Sequence, residues 1–404
     1  MKIGIPCAGF IGWAGGIDQL RITIESLVAL EESDLEVHVI VPDRGSILFV
    51  RNIMSRMRVF LSNGLRGKSR ALPGKPSTRF IAESLGEERI AAHFHHIDMG
   101  ARALAALCRK HRLDVLVLSG FPLGPNFPFP WVGYIDDFQY KYYPDYYDPT
   151  ARAKRDRFMA RMVSEPRAVI MLSQAAVHDA ERYVSGIRAE LTTLPLAAVP
   201  AEEWFVERPG VREQYGVGPR YFMISNQFWV SKRHDIAFSA FQRLAQADSE
   251  IQLVCTGDTN DHRYPNYFPG LVKFLDAHDL SERVRILGLI PKLDQIALMK
   301  NCIATIQPTQ FEGTPGGLSI CDAISLGAPT IVSDIPVNRE IEKWVTRYFP
   351  LNNAEALYRA MAEALAQHRP VVPPERLLAL SRQRRREYGE ALLTLAHRTA
   401  ASAH

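Results

Sequence analysis

Cysteine is scarce in this sequence, and no two cysteines form a recognisable motif. The 404 residues include five cysteines, an odd number, scattered along the chain without a C-x-x-C pair. This pattern indicates neither a disulfide framework nor a zinc knuckle. It fits a protein of the reducing cytoplasm.

Long hydrophobic runs are also missing. No apolar stretch of the sequence approaches the roughly 20 residues that a membrane-spanning helix needs. Met1 and Lys2 lead directly into an apolar, strand-like segment without a cleavage-site pattern. We therefore expect a protein that is soluble or only peripheral to a membrane.

The sequence has no strong excess of either charge. Its net charge is +4, and 47% hydrophobic with 23% charged residues is an ordinary globular composition. A dedicated nucleic-acid-binding protein usually carries a larger basic excess on one face, so we expect no nucleic-acid partner. The length exceeds one ordinary core and predicts two domains.

Acidic residues are absent from one stretch of the chain. Between Arg44 and Arg79 there are nine basic residues and no acidic one, interleaved with apolar residues such as Met57 and Phe60. A basic amphipathic segment can bind anionic lipid headgroups or a lipid-linked diphosphate. A solvated loop explains the pattern equally well, so peripheral contact with an anionic membrane through 44–79 is one of two interpretations.

Apolar, strand-like runs alternate with amphipathic helical segments along the whole chain, which predicts an α/β protein with parallel sheets. Three prolines between 194 and 209 mark a linker, after which the alternation restarts. We therefore expect two Rossmann-like, doubly wound domains, 1–198 and 199–380, facing a central cleft, and a C-terminal helix within 381–404. The predicted strands are 1–8, 35–42, 113–119, 130–134, 169–173, 221–225, 251–256, 284–287 and 303–307, together with a further apolar strand that ends at 334.

A glycine-rich stretch follows the first strand, but it lacks the G-x-G-x-x-G spacing of a dinucleotide-binding loop. We therefore set a dehydrogenase aside. Gly15 and Gly16 stand where a helix begins, so their backbone N–H groups could approach a phosphate or a sugar closely. A plain tight turn is the other interpretation.

The most informative segment lies between the strand that ends at Gln307 and the helical run 318–326. It reads Gln-Pro-Thr-Gln-Phe-Glu-Gly-Thr-Pro-Gly-Gly. The carboxylate of Glu312 could accept hydrogen bonds from sugar hydroxyls, and Gly316 and Gly317 could present amides to a diphosphate at the helix start. One loop would therefore bind both halves of a nucleotide sugar.

This segment resembles the E-x7-E region of retaining GT-B glycosyltransferases of family 4, also called glycosyltransferase group 1. The resemblance assigns Glu312 to the donor sugar, and it assigns Asp322, which stands at the family's second Glu, to the ribose. The run from Ser225 to His234, Ser-Asn-Gln-Phe-Trp-Val-Ser-Lys-Arg-His, is similar to a pattern in one branch of that family. This similarity implies that Lys232 stabilises the departing diphosphate. Further donor contacts expected from the resemblance are Asn226, Gln227, Ile290, Thr314 and Leu318.

The aromatic segment 134–147 in the first domain resembles the Asp-x-Gln-His…Pro-Glu-Phe-Phe segment of the same branch, with Tyr140 at the family's His. The resemblance makes Asp137 and Tyr140 candidates for the catalytic site, together with Glu312 and Lys232. A surface loop packed on its own tyrosines is the alternative.

The resemblance implies a retaining, metal-independent reaction without a cofactor. A hexose, with mannose from a GDP-sugar as an analogy, would pass from a nucleoside-diphosphate sugar to a glycan or lipid-linked acceptor in bacterial O-antigen, capsule or exopolysaccharide assembly. It also implies that the C-terminal helix packs back on the first domain.

Two other functions stay open. One is an epimerase of the same architecture, and the other is a nucleotide-sugar-binding protein without transferase activity, suggested by Tyr140 and Asp322. The run His93-Phe-His-His96 resembles metal ligands, but no cysteine joins it at a familiar spacing, so we expect no metal there.

Overall fold

The computed structural model describes residues 1–11, 14–43, 85, 90–196, 200, 202–261, 263–367 and 372–401. The chain divides into two compact units. The first comprises Met1–Pro144, Asp148–Val199 and Gln383–His404, and the second comprises Asp145–Tyr147 and Pro200–Arg382. The basic stretch 44–79 lies outside the described residues, so its predicted contact with a membrane stays a prediction.

The first unit is built on a parallel sheet whose seven described strands have the order β3-β2-β1-β4-β5-β6-β7. The apolar strands are buried on both faces because helices cover the sheet between successive parallel strands. The strands are Lys2–Pro6 (β1), Glu36–Pro42 (β2), His93–Ile97 (β3), Val115–Ser119 (β4), Trp131–Ile135 (β5), Ala168–Met171 (β6) and Glu190–Thr193 (β7). The helices are Ala14–Val28 (α1), Ala101–His111 (α2), Gln139–Tyr142 (α3), Pro149–Met162 (α4) and Gln174–Tyr183 (α5).

The second unit contains a parallel sheet whose six described strands have the order β10-β9-β8-β11-β12-β13. The strands are Tyr221–Ser225 (β8), Gln252–Thr256 (β9), Val284–Gly288 (β10), Thr305–Gln307 (β11), Thr330–Asp334 (β12) and Arg347–Pro350 (β13). The helices of this unit are Val211–Gln214 (α6), His234–Ala247 (α7), Tyr267–Ala277 (α8), Lys292–Asn301 (α9), Gly317–Ser325 (α10), Pro336–Arg339 (α11) and Ala354–Ala366 (α12). The prediction of two doubly wound, parallel-sheet α/β domains is confirmed.

Strand β8 shows why the centre of this sheet is apolar on both sides. Phe222 and Ile224 join the core cluster that includes helices α7 and α12. Tyr221 and Met223 join the opposite cluster, which includes helix α9. Alternate side chains of one strand point to opposite faces, so both faces of the sheet bury core residues.

The C-terminal helix, Pro374–Ala401 (α13), begins in the second unit and continues in the first. Its residues Tyr388 and Leu392 belong to the core cluster of the first unit. The Tyr388 hydroxyl receives a hydrogen bond from Gln19 Nε2 at 3.0 Å and lies 2.9 Å from Thr23 Oγ1, both on α1. Among the described helices, none is both long and apolar enough to cross a membrane.

Parallel strands end at the same edge of a sheet, and this fact positions the candidate residues. Met223 on β8 pairs with Thr305 on β11, so the loops that follow these two neighbouring strands leave the sheet side by side. In open α/β sheets ligands bind at this carboxyl edge.

Candidate active site

Lys232 and Glu312 form an ion pair at the carboxyl edge of the second sheet. Lys232 ends a short 3₁₀ turn after β8, and Glu312 lies in the loop after β11. Lys232 Nζ contacts Glu312 Oε1, and the two side chains are only 14% and 11% exposed. The fold therefore brings together two candidate catalytic residues that are 80 positions apart in the sequence. Because both side chains are nearly buried, each charge is compensated by the other.

Two buried amides that the sequence did not single out hold the loop that carries Glu312. Gln307 Nε2 donates to Glu312 Oε1 at 3.2 Å and also to the Gly316 carbonyl. Asn338 Oδ1 accepts a hydrogen bond from Gly316 N at 2.9 Å. Both amide side chains are fully buried. Gln307 begins the segment 307–317 but had no predicted role, and Asn338 belongs to no motif that the sequence analysis recognised.

Gly316 and Gly317 form a left-handed turn at the start of α10. Their φ angles are +69° and +61°, a region that favours glycine. A Cβ atom at Gly317 would lie 2.7 Å from Gln307 Nε2, and one at Gly316 would lie 2.7 Å from Ile320 Cγ2. The Thr314 carbonyl accepts from Gly317 N at 2.9 Å, and Leu318 follows in the first helical turn. A helix start beside a lysine favours an anion.

The loops after β8, β9 and β10 meet at the same edge. A Cβ atom at Gly257, after β9, would lie 2.2 Å from the Asn226 carbonyl oxygen and 2.9 Å from Gln227 N, so glycine permits this close approach. Gly257 N donates to the Gly288 carbonyl at 2.9 Å. Ile290, after β10, packs against the core cluster beside α9. The candidate donor residues of the second unit thus follow neighbouring strands.

Asp322 lies one turn further along α10 and is paired with Lys292. Lys292 Nζ and Asp322 Oδ2 are 2.5 Å apart, and the Asp322 side chain is buried. Lys292 is the first residue of α9, and sequence reasoning missed it as the partner of this carboxylate. A ribose contact by Asp322 stays a prediction.

The candidates of the first unit follow β1 and β5. Gly15 and Gly16 lie in the first turn of α1. Asp137 Oδ1 accepts from Gln139 N at 2.9 Å. The buried Tyr140 donates its hydroxyl to Asp156 Oδ1 at 2.8 Å, and burial together with Asp156 raises the pKa of Tyr140 far above its usual value. Tyr140 is therefore held inside the unit in its protonated form.

The run His93–His96 belongs to strand β3 and not to this site. His95 contacts His38 on β2, and His111 at the end of α2 lies beside both. Burial and neighbouring histidines lower the pKa of His95 to about 4. The sequence run by itself did not indicate either of these two partners.

Comparisons with known proteins point to glycosyltransferases. The family model for glycosyl transferases group 1 matches residues 211–387. No curated protein matches the chain in sequence.

Solved glycosyltransferases share the fold over the whole chain. The structure of Anabaena HepE in complex with UDP and glucose is similar with a TM-score of 0.61 at 15% identity, covering 100% of this chain and 99% of that chain. Sucrose-phosphate synthase from Thermosynechococcus elongatus has a TM-score of 0.64 at 14% identity, with 100% of both chains covered. WaaG, a glycosyltransferase involved in lipopolysaccharide biosynthesis, has a TM-score of 0.55 at 15% identity, with 99% and 98% covered. The chain thus has the two-unit fold of GT-B glycosyltransferases, and its residues 211–387 are similar to glycosyl transferases group 1.

Proposed function

We propose that the chain is a retaining glycosyltransferase that moves a hexose from a nucleoside-diphosphate sugar to a glycan or lipid-linked acceptor in bacterial surface polysaccharide assembly. The observation that supports this proposal is the Lys232–Glu312 ion pair beside the glycine turn of α10. A cation, a helix start and a carboxylate within one loop system suit the diphosphate and the hydroxyls of one donor.

The pair gives each half of the donor a partner. In the free protein Lys232 is neutralised by Glu312. When a donor binds, its diphosphate replaces Glu312 as the partner of Lys232, and the freed carboxylate accepts hydrogen bonds from the sugar. Lys232 and the start of α10 then stabilise the negative charge that develops on the leaving diphosphate. This arrangement requires no metal ion.

In the first unit we assign Gly15 and Gly16 to the donor diphosphate and Asp137 to the catalytic residues, because they follow the carboxyl ends of β1 and β5. The hydroxyl of Tyr140 donates to the Asp156 carboxylate, and the neighbouring Lys141 contacts the same carboxylate at 2.7 Å. Because its hydroxyl is engaged in this way, Tyr140 acts as a positioning residue. Excluding water from the donor favours transfer over hydrolysis.

The donor base is the first specificity to determine. HepE binds UDP and glucose, which makes a UDP-hexose the first donor to test. GDP-mannose is the alternative that the Asn226–Trp229 pattern suggests. All five cysteines are buried and none of them forms a disulfide, which supports action in the reducing cytoplasm, with the inner surface of the cytoplasmic membrane as the alternative location.

The proposal is tested by thermal unfolding with UDP, GDP or ADP in the presence of EDTA. A ligand at 100 times its Kd adds about 2.7 kcal/mol to the free energy of unfolding, so one nucleotide should raise the unfolding temperature. Lys232→Ala should lose this increase, whereas Lys273→Ala, which removes an exposed lysine of the same unit, should keep it. If no nucleotide stabilises the wild type, the donor site is wrongly assigned.

The second candidate is a nucleotide-sugar-binding protein without transferase activity. It is favoured by the engaged side chains of Tyr140 and Asp322, which stand where relatives carry His and Glu. Release of free nucleotide that depends on an added acceptor would exclude both this candidate and an epimerase. Nucleotide binding without such release would support the binding protein.

A further inference from the structure

Three histidines from three different elements of the first unit converge in the structure. His38 lies on β2, His95 on β3 and His111 at the end of α2. One ring nitrogen from each lies within 4.8 Å of the other two, and His38 Nδ1 is 2.9 Å from His95 Nε2. The ring centroids of His95 and His111 are 4.4 Å apart. We refer to these three residues as the histidine cluster.

The Glu36 carboxylate lies next to His38, the most buried histidine of the cluster. His38 is only 3% exposed, and its Nε2 lies 3.5 Å from Glu36 Oε2, which in turn is 2.9 Å from Lys2 Nζ. A carboxylate at this distance favours the His38 tautomer that carries its proton on Nε2, and in that tautomer the Nδ1 lone pair faces the cluster. A carboxylate beside the ring nitrogen that does not face the metal likewise orients histidines in metal sites.

We propose that the histidine cluster binds one Zn²⁺ ion, or another divalent transition metal that prefers imidazole, with the fourth position open to water. Nitrogen ligands of a tetrahedral zinc stand about 2.0–2.1 Å from the ion and therefore roughly 3.3 Å from each other. The distance of 2.9 Å between His38 Nδ1 and His95 Nε2 therefore needs to increase by only a few tenths of an ångström. On binding, the proton of His95 Nε2 moves to Nδ1, so the ring stays neutral and its Nε2 lone pair bonds to the metal.

The cluster lies away from the carboxyl edge that carries the candidate active site. Helix α2 runs back from the end of β3 to the start of β4, so His111 lies at the amino edge of the sheet. Strand β3 is one of the two edge strands of the described sheet and pairs with β2, for example Ile40 with His95. A metal here would join β3, β2 and α2 and stabilise the outer part of the first unit. The inference is independent of the proposed transferase activity.

The test measures metal binding to the full-length chain after treatment with EDTA and desalting. Titration calorimetry with Zn²⁺ and visible spectroscopy with Co²⁺ give stoichiometry and coordination geometry. We expect one equivalent, with an affinity at least tenfold weaker in His95→Ala and His111→Gln, and weakened about tenfold in Glu36→Gln. His178→Ala, which removes an exposed histidine of the same unit, should bind like the wild type.

Stability provides a second measurement that does not depend on activity. Zn²⁺ should raise the unfolding temperature of the wild type and of His178→Ala, but not that of His111→Gln. Glu36→Gln changes a partly exposed side chain and should fold normally, so it tests the proposal even if a histidine variant does not fold. Equal affinity in the wild type and the cluster variants would mean adventitious binding elsewhere and would overturn the proposal, as would binding of no metal.

Discussion

Single side chains govern the charge balance of the candidate site. Lys232 and Glu312 are nearly buried, and removing either one leaves the other charged without its partner. An unpaired buried charge is costly, whereas a ligand of matching charge offsets that cost. Without the Glu312 carboxylate, Lys232 should therefore bind an anion more readily. Without the Lys232 ammonium group, Glu312 should repel an anion.

Replacement of Glu312 by Gln separates nucleotide binding from sugar transfer. The Glu312→Gln variant should bind UDP or GDP at least as tightly as the wild type, because a negative charge beside the diphosphate is gone. Its transfer rate should fall about 100-fold, or about 2.7 kcal/mol in the barrier, because the carboxylate that orients the sugar is lost.

Nucleotide affinity by calorimetry and kcat with a saturating donor check both halves of this prediction. Glu282→Gln, which changes a side chain that is 94% exposed in the same unit, should leave both unchanged. An unchanged transfer rate in Glu312→Gln would remove this residue from the catalytic site.

His234 makes stability depend on pH. It is fully buried and stacked on Phe228 with ring centroids 4.0 Å apart. Burial, more than the nearby charge of Lys232, lowers the pKa of His234 to about 3. As the pH falls, the unfolded chain therefore binds a proton at His234 before the folded chain does. The contribution of His234 to the free energy of unfolding is complete above pH 6.5 and decreases as the pH falls toward 3.

The slope contributed by this one group is about 1.4 kcal/mol per pH unit below pH 6.5. His234→Phe keeps a ring against Phe228 and should remove this part of the slope. His278→Gln, which removes an exposed histidine, should retain it. Urea unfolding between pH 7 and pH 5 measures the difference, and identical slopes in all three proteins would contradict the assignment.

Residue roles differ in how far the sequence could reveal them. Lys232 and Glu312 follow predicted strands inside recognisable motifs, so the sequence could single them out as candidates, while their roles stay predictions. Gln307 and Asn338 act through hydrogen bonds to Gly316, and those bonds exist only after the loop has folded. The pairing of Asp322 with Lys292 likewise depends on two helices meeting, which no local pattern encodes.

At the scale of elements, the turn that starts α10 depends on glycine. Gly317→Ala combines a positive φ with a contact of 2.7 Å to Gln307 Nε2, so it should cost about 1–3 kcal/mol. Nucleotide stabilisation should decrease with it, because the helix start shifts. Gly270→Ala in α8 meets no atom within 4 Å and should stabilise by up to about 1 kcal/mol.

Chemical denaturation of the two glycine variants, with and without nucleotide, checks this prediction. A stable Gly317→Ala protein that still binds nucleotide would show that the left-handed turn is dispensable.

Apolar runs predicted the central strands and the edge strand β10, but they missed the other described edge strands, β3, β7 and β13. The predicted strand 221–225 has the bounds of β8, because its five buried residues are all compatible with a strand core. Strand β3 was missed because its sequence, His-Phe-His-His-Ile, is rich in histidine and occupies only partly buried and exposed positions at the sheet edge. Its assignment requires the partner strand, since pairing with β2 fixes it.

At the scale of the whole molecule, helix α13 makes the first unit depend on distant sequence. Leu392 is fully buried in the core cluster that also contains Ile3 and Leu20. Leu392→Ala should cost about 2–5 kcal/mol, because a cavity remains in a close-packed core.

Arg386→Ala on the same helix changes a side chain that is 72% exposed and should remain within about 0.5 kcal/mol of the wild type. Urea unfolding of both variants, followed by a probe in the first unit, measures the difference. A Leu392→Ala protein as stable as the wild type would show that α13 is not part of this core.

The contribution of α13 also sets an order of events during synthesis on the ribosome. Tyr388 follows Thr193, the end of β7, by 195 residues. At about 5–20 residues per second, translation needs roughly 10–40 s to cover that interval. The second unit can therefore acquire its core while the nascent first unit still exposes the apolar surface that α13 will cover. For that interval the first unit presents the kind of exposed apolar surface that chaperones bind, although it is made first.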